Sequence, residues 1–464
     1  MPVSSYAKKR VSAALSMALA MLCGCALQAP PEGADLMRQA VPVLEGKPGW
    51  VNHAVAGAPA DGWLDSFDDA ELQRLVREAV AHNGDLRLAE VRVRQAQALV
   101  AIERSGLLPD AAVKGRAGNS ETQLLSIGAS WEIDLWGRIR AQARAGQARY
   151  GAARIDQLWA RRVVAAATAQ AWFTLIQHTQ REARLRQAVA IHDQLLRIAG
   201  QRVAIGAAPD TELVQARNAR RLQVDALESA RLGRSQAAQA LELLLGRYPA
   251  GEISSMASGR ELPPVPPAPQ AGLPADLLDR RPDLSAAAHQ VAAAFDMRQS
   301  AQAARLPRIA ISAAITDIRS DVFLLNQAGS PIKGLNGSFF APLFSGGELK
   351  ARADYYTAEQ RAALIAYGNK ALGALGEVEA GLLAESSHAA RTRQLQERVA
   401  ESRELVRREE ARAGIGASDM RGVLKERQSL LAAEIDCIDA HGRHLQQRIA
   451  LLLALGGDWS AAAG

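Results

Sequence analysis

The chain has 464 residues, with 55 basic against 49 acidic side chains, a net charge of +6 and only 4% aromatic residues. Basic and acidic residues are interspersed along its helical stretches, as on a solvated coiled-coil face, so the modest positive charge does not indicate nucleic acid as a partner. The three cysteines are Cys23, Cys25 and Cys437.

Lys8, Lys9 and Arg10 precede the apolar run Val11 to Leu22. That run is too short to span a bilayer as a helix and fits a secretory signal peptide over residues 1–24. It ends in Leu22-Cys23-Gly24-Cys25, which resembles a bacterial lipobox, where cleavage before the cysteine is followed by lipidation of that cysteine. Cys25 is the expected lipid-attachment residue, and its covalent lipid is the only cofactor expected. Ala26 in place of Asp implies, by the same resemblance, release to the outer membrane. The other reading is a signal peptide that happens to contain two cysteines. With Cys23 lost, Cys25 lipidated and Cys437 alone on a helical segment, no disulfide framework can form. Residues 25–62 form the lipidated N-terminal segment, and segments of two kinds follow it.

Residues 63–248 and 275–459 read as two copies of one unit. Asn83-Gly84-Asp85-Leu86 precedes Leu108-Pro109, and Arg281-Pro282-Asp283-Leu284 precedes Leu306-Pro307 at the same spacing. Gly206 and Leu245-Gly246 answer in the same way to Gly416 and Leu455-Gly456. A repeat this long is a multi-element unit that cannot complete its structure alone.

Within each copy, proline placement separates helix from strand. No proline lies between Pro109 and Pro209 or after Pro342. Those stretches carry apolar residues at helical spacing, as in Val163, Ala166, Ala167, Gln170, Ala171, Thr174 and Leu175. One helix from Arg138 to Ile205 would be about 100 Å long. The alternative is a set of shorter bundle helices broken at Gly146, Gly151 and Gly200.

The segments near the Leu-Pro landmarks have a different period. Leu125, Ile127, Ala129, Trp131, Ile133 and Leu135 alternate with Ser126, Gly128, Ser130, Glu132 and Asp134. Ile309, Ile311, Ala313 and Ile315 alternate with Ala310, Ser312, Ala314 and Thr316, and Leu335 to Leu343 repeat the pattern. These are two-faced strands. Each copy is expected to supply one hairpin, Asp110–Gly118 with Leu124–Trp136 and Arg308–Arg319 with Gly334–Leu343. The strands have the roughly 9 to 11 residues that a tilted transmembrane strand requires. Trp131, Trp136, Phe339, Phe340 and Phe344 gather at one end of them, as in an interfacial girdle. The other reading is an ordinary soluble sheet with one buried face, but four strands cannot close a barrel and an open edge cannot face lipid, so if these strands span a membrane several chains must pool them, and three chains would supply twelve. Glu132 and Asp134 then read as polar lumen-facing strand residues.

Residues 249–274, centred on Leu262-Pro263-Pro264-Val265-Pro266-Pro267-Ala268-Pro269, read as a stiff polyproline-type connector between the copies, and residues 460–464 as a C-terminal tail. No catalytic residue is expected. The eight histidines are scattered and no phosphate-cradling glycine loop follows a strand. No metal site is expected either, because neither methionine nor histidine clusters.

Gly272-Leu273-Pro274-Ala275-Asp276-Leu277-Leu278-Asp279-Arg280-Arg281-Pro282-Asp283-Leu284 resembles the most diagnostic motif of the TolC-like outer membrane factors, in particular the lipidated OprM and NodT type. Trp63-Leu64-Asp65-Ser66-Phe67-Asp68-Asp69-Ala70-Glu71-Leu72, Trp131-Glu132-Ile133-Asp134-Leu135-Trp136-Gly137-Arg138-Ile139-Arg140 and Pro342-Leu343-Phe344-Ser345-Gly346-Gly347 are similar to that family as well. The resemblance implies a mainly α protein with a transmembrane β-barrel. Its internal two-fold repeat would assemble into a homotrimer with one 12-stranded barrel continued by a long α-helical barrel. It further implies a passive exit duct in the outer membrane lipid, working with a periplasmic adaptor (membrane fusion) protein and an inner-membrane pump of the resistance-nodulation-division type. Closure is implied at the periplasmic tips Gly206–Leu213 and Gly414–Arg421. There Asp419, Arg421, Asp210 and Leu424 are the gate candidates, although Leu424 stands where relatives often carry an aspartate. Asp419 reads equally as a helix N-cap, and Asp210 as a first-turn residue after Pro209. A lipid-anchored coiled-coil scaffold without a pore is the alternative from another class, and a protein-secretion channel the alternative within the same class.

Overall fold

The computed structural model describes residues 28–42, 49–52, 54–57, 59–118, 122–320 and 332–460. The expected signal peptide and Cys25 lie outside the described residues. The elements run α1 (Gly33–Ala40), α2 (Ala70–His82), α3 (Gly84–Ser105), β1 (Asp110–Arg116), β2 (Thr122–Ile133), α4 (Arg138–Ala204), α5 (Asp210–Leu244), α6 (Pro274–Arg280), α7 (Pro282–Ala303), β3 (Arg308–Ser320), β4 (Ile332–Phe340), α8 (Glu348–Gly414) and α9 (Met420–Ala454). Short 3-10 turns occupy Trp63–Phe67 and Glu252–Ala257. Helix lengths recur in order: α3 and α7 have 22 residues each, α4 and α8 have 67, and α5 and α9 have 35.

Helix α4 passes through Gly146, Gly151 and Gly200 without a break. The first two glycines serve close packing instead, since a Cβ at Gly151 would sit 3.1 Å from the His289 ring and one at Gly146 would sit 3.4 Å from Glu103. What ends α4 and α8 is a left-handed glycine. Gly206 (φ +72) and Gly416 (φ +74) reverse the chain, and the amides of Ala207 and Ala417 bond back to Arg202 O and Arg412 O, both at 2.8 Å. This closing bond satisfies helix-end carbonyls that would otherwise lack partners.

The chain divides into two compact units. The first comprises Met1–Glu45, Val91–Ile155 and Leu284–Lys370. It holds the four-stranded sheet and a small apolar cluster in which Leu36 of α1 packs with Ala287, Val291 and Tyr367. In the same unit Arg144 bonds Asp296 at 2.6 Å, joining α4 to α7. Burial pushes the Asp296 carboxyl up, against the pull of that guanidinium.

The second unit comprises Gly46–Glu90, Asp156–Asp283 and Ala371–Gly464 and carries the main core. Trp63, Phe67, Leu72, Leu75, Trp172, Phe173, Leu241 and Leu445 are all buried there. Asp69 both caps α2, accepting from the amides of Glu71 and Leu72, and takes the Trp172 indole N–H at 2.8 Å. One carboxylate therefore starts a helix and orients the largest core side chain.

Two corresponding landmarks of the repeats do the same work with different chemistry. Asn83 caps α3 through the amides of Asp85 and Leu86 and donates its Nδ2 to Leu244 O, the last residue of α5, at 3.0 Å. Arg281 holds Asp283 through two bonds at 3.0 Å, reaches Glu377 at 2.6 Å, and donates to Ala454 O, the last residue of α9, at 3.3 Å. Its guanidinium also lies 5.1 Å from the Trp159 ring centroid. Asn83, Arg281 and Asp283 are buried, whereas Glu377 is largely exposed.

Arg281→Ala is expected to lower the thermal denaturation midpoint far more than Asn83→Ala. The first strands a buried Asp283 and costs about 3 to 5 kcal/mol, whereas the second removes a neutral cap worth about 1 kcal/mol. Equal shifts in a melting series would refute this ranking.

Candidate functional site: a two-faced sheet and paired helix tips

The sheet has the order β1-β2-β3-β4 and is antiparallel throughout. The two hairpins expected from the sequence are present, and β2 additionally pairs with β3 across the whole span Thr122–Ile133. Register separates apolar from polar side chains over the middle of the sheet, whereas towards its ends Asp317 and Lys333 fall on the apolar face and Leu124, Ile318, Ile332 and Phe340 on the other. Ile127 stands between Val113 and Ile315, Trp131 opposite Ile311, Ala313 between Ala129 and Leu335, and Ile309 opposite Phe339. The other face carries Lys114, Ser126, Ser130, Glu132, Ser312, Thr316, Asn336 and Ser338. Ser126 and Thr316 bond across it at 2.8 Å.

The apolar face is uncovered. Val113 is 67% exposed, Leu335 78% and Phe339 69%. Strands β1 and β4 are the outer strands, each with one edge unpaired among the described residues. In water, such a face with two open edges would be a site of association or aggregation.

Tryptophan indoles fasten the strand entries. The Trp131 N–H donates to Leu107 O at 3.0 Å and the Trp136 N–H to Pro307 O at 2.6 Å, just before β1 and just at the start of β3. Trp131, Phe339, Phe340 and Phe344 are exposed, so the aromatic end of the sheet has the amphipathic character of an interface. Glu132 is on the polar face and is held by Arg138 at 3.0 Å. Asp134 departs from the expectation of a strand residue. Strand β2 ends at Ile133, and the Asp134 carboxylate accepts from the amides of Ile139 and Arg140 at 3.0 and 2.9 Å. A carboxylate near four unbonded helix amides gains more there than in a strand.

The second feature is the pair of tips in the other unit. Asp419 is the N-cap of α9, accepting from Gly422 N at 3.1 Å, and Arg421 bonds the same carboxylate at 2.9 Å. The Gly422 amide and then the Arg421 guanidinium hold this carboxyl below its ordinary range. Arg421 also lies 3.7 Å from Glu212 of α5, which in turn is bonded by Arg202 at 3.1 Å. Asp210 is in the first turn of α5 after Pro209, exposed, and Glu212 rather than Asp210 makes the link between tips. Nothing in the linear pattern singled out Glu212, because its partner is on the other tip. Leu424 is 1% exposed and Val423 3%, both packed within their own chain. The exposed apolar groups at the tips are Ile205, Ile415 and Met420.

Among the described residues no group of three or more His, Cys, Asp or Glu is placed to hold a metal ion, and no helix is long and apolar enough to cross a membrane.

Residues 75–247 and 273–457 match the model of the outer membrane efflux protein family. The chain belongs to that family. It is 30% identical over 447 residues to the pyoverdine export outer membrane protein OpmQ of Pseudomonas putida, covering 89% of this chain and 92% of that protein. It is 28% identical to the probable efflux pump outer membrane protein SepC of Pseudomonas putida, covering 97% of this chain and 96% of that one. Among solved structures, the open state of the Neisseria gonorrhoeae MtrE outer membrane channel has the same fold, with a TM-score of 0.77, 22% identity and 95% and 99% coverage. The Campylobacter jejuni CmeC outer membrane channel aligns with a TM-score of 0.76, 23% identity and 88% and 90% coverage.

At the tip, Asp419→Asn keeps a capping side chain but loses the ion pair, whereas Asp419→Ala loses both. Hydrogen exchange of the first turn of α9 should therefore accelerate strongly only in the alanine variant, by an amount equivalent to about 1 kcal/mol. Because the folded carboxyl titrates below its usual range, the cap is present at neutral pH and is lost only as the pH falls through that lowered value. Equal acceleration in both variants would assign the stability to the ion pair instead.

Proposed function

We propose that this protein is the outer-membrane exit duct of a tripartite efflux system, passing small molecules such as drugs out of the cell without doing chemistry on them. The observation that carries the reading is the sheet: an exposed apolar face, a polar opposite face and two unpaired edges in one chain. Three copies pairing β1 of one with β4 of the next would supply twelve strands, remove every edge and put the apolar face against lipid. The recurring helix lengths fit an internal two-fold repeat whose long helices continue the barrel as an α-helical duct. Relatives named as efflux pump outer membrane proteins support export as the role.

In this reading Cys25 carries a covalent lipid that helps anchor the chain in the outer membrane, and no other cofactor takes part. A periplasmic adaptor docks at the tips, and an inner-membrane pump, of the resistance-nodulation-division type, supplies energy. The idle duct is held shut at the tips through Arg421, which ties Asp419 and Glu212 together. Adaptor binding shifts the population towards the released arrangement. The polar face, with Glu132 among its residues, lines the lumen, and the role first read for Asp134 passes to helix capping.

Two experiments test this reading. In planar bilayers, Arg421→Ala should raise the idle conductance without any adaptor. Because the pair is partly wet, high salt should mimic part of that increase. Unchanged conductance in an intact trimer would remove Arg421 from the gate. In a Cys437→Ser background, Ser126→Cys should react in intact cells with a small water-soluble maleimide and Ile127→Cys should not. Equal labelling of the two positions would sink the barrel.

A further inference from the structure

Helices α8 and α9 carry a buried polar cluster that the duct reading does not use. Glu385 and His388 are a turn apart on α8, and His441, His444 and Arg448 share one face of α9. Glu385 Oε1 accepts from His444 Nε2 at 2.7 Å and from Arg448. The His388 ring stacks on His444 with centroids 6.5 Å apart. Glu385, His444 and Arg448 are buried, and Glu385 Oε2 and His444 Nδ1 have no partner in the protein.

The same side chains hold the proline-rich connector. Arg448 donates to the carbonyls of Pro266 and Pro267, and His441 Nε2 bonds Pro263 O at 2.9 Å. A segment this rich in proline has few amides with which to build a ladder, so its attachment falls to side-chain donors from the helices. The remaining charged groups around the cluster are Arg391 on α8 and Arg443 on α9. Arg184 of α4, Arg260 and Glu261 of the connector, Arg403 and Glu434 line the cleft that His441 also faces.

We propose that this cluster is an acid-sensitive clasp, which holds residues 263–267 against α8 and α9 at neutral pH and releases them in mild acid. One carboxylate, Glu385, already faces the permanent cation of Arg448. Protons added at His388 and His441 put two further positive charges beside it, and of the carboxylates in the adjoining cleft Glu434 is already paired with Arg184 and Arg403, which leaves Glu261. A charged His441 ring is hydrated fully only if the connector above it lifts.

The direction of the linkage follows from the two rings. Burial is the first cause that lowers the His441 value, opposed by its bond to Pro263 and aided by His444. Burial, then His444 and Arg443, lowers that of His388. Both rings therefore bind protons more weakly than a free imidazole, and His441 is the one that touches the connector. The clasp is fully stable above the ordinary histidine value of about 6.5 and weakens as the pH falls through it towards the lowered values. Glu385 acts in the same sense at lower pH. Burial raises its value, and the bonds from His444 and Arg448 more than offset this, so protonating it also favours release.

The test uses the detergent-extracted full chain with a nitroxide on Ala268→Cys, an exposed connector position, in a Cys437→Ser background. Between about pH 7.5 and about pH 5.5 the ratio of mobile to immobile spin label should rise severalfold. His388→Gln with His441→Gln should flatten that response, and each single variant should reduce it. An identical line shape at both pH values would overturn the clasp, as would a transition that survives in the double variant. Should the double variant fail to assemble, the titration of the otherwise unaltered chain and the single variants still decide. The label reports the connector directly, so the outcome is separate from whether the protein conducts.

Discussion

The constraint on which the rest of this structure depends is that four strands cannot satisfy themselves. Each outer strand leaves a row of backbone donors and acceptors without partners, and the apolar face above them has no cover from its own chain. Water would tolerate the edges but not the face, and lipid would tolerate the face but not the edges. In the proposed assembly, pairing between chains in a bilayer would satisfy both. The alternation of apolar and small polar residues from Leu125 to Ile133 is the chemical statement of that requirement, because each residue must answer to a different solvent.

The long helices follow a different logic. Their faces mix small apolar residues with arginine and glutamate, and propensity alone does not set where they stop. Their ends are set by specific groups: left-handed Gly206 and Gly416 at one end of the hairpins, and at the other Asn83 and Arg281 reaching the terminal carbonyls of α5 and α9. A neutral amide makes this contact to the end of α5, and a buried arginine paired with Asp283 makes it to the end of α9. That difference makes the second hairpin end depend on Asp283 and Glu377 as well.

Charge is used sparingly where it is buried. Arg281, Glu385 and Arg448 each have several partners at once, which is what allows a charged group to stay out of water. The exposed pairs on α8, such as Arg408 with Glu404, need no such support and contribute little to the fold.

Several features of the protein were legible in its sequence, for physical reasons. A strand shows as period two and a helix as a proline-free stretch with a wider period, because neighbours along the chain report the same face. The length of α4, the capping role of Asp419 and the strand character of β2 all came from such local signals. The pairing of β2 with β3, the place of Glu212 opposite Arg421, the burial of Leu424 and the capping by Asp134 did not. The first three depend on which distant residue arrives nearby, which packing decides, whereas Asp134 turns to amides only five and six residues ahead because the strand ends one residue before it. By itself the sequence determined the elements, their order and the two-faced chemistry of the strands, since these rest on local sterics and solvation. The tertiary structure alone decided which carboxylate meets which guanidinium and which apolar side chains remain uncovered, because those outcomes depend on distances between segments hundreds of residues apart.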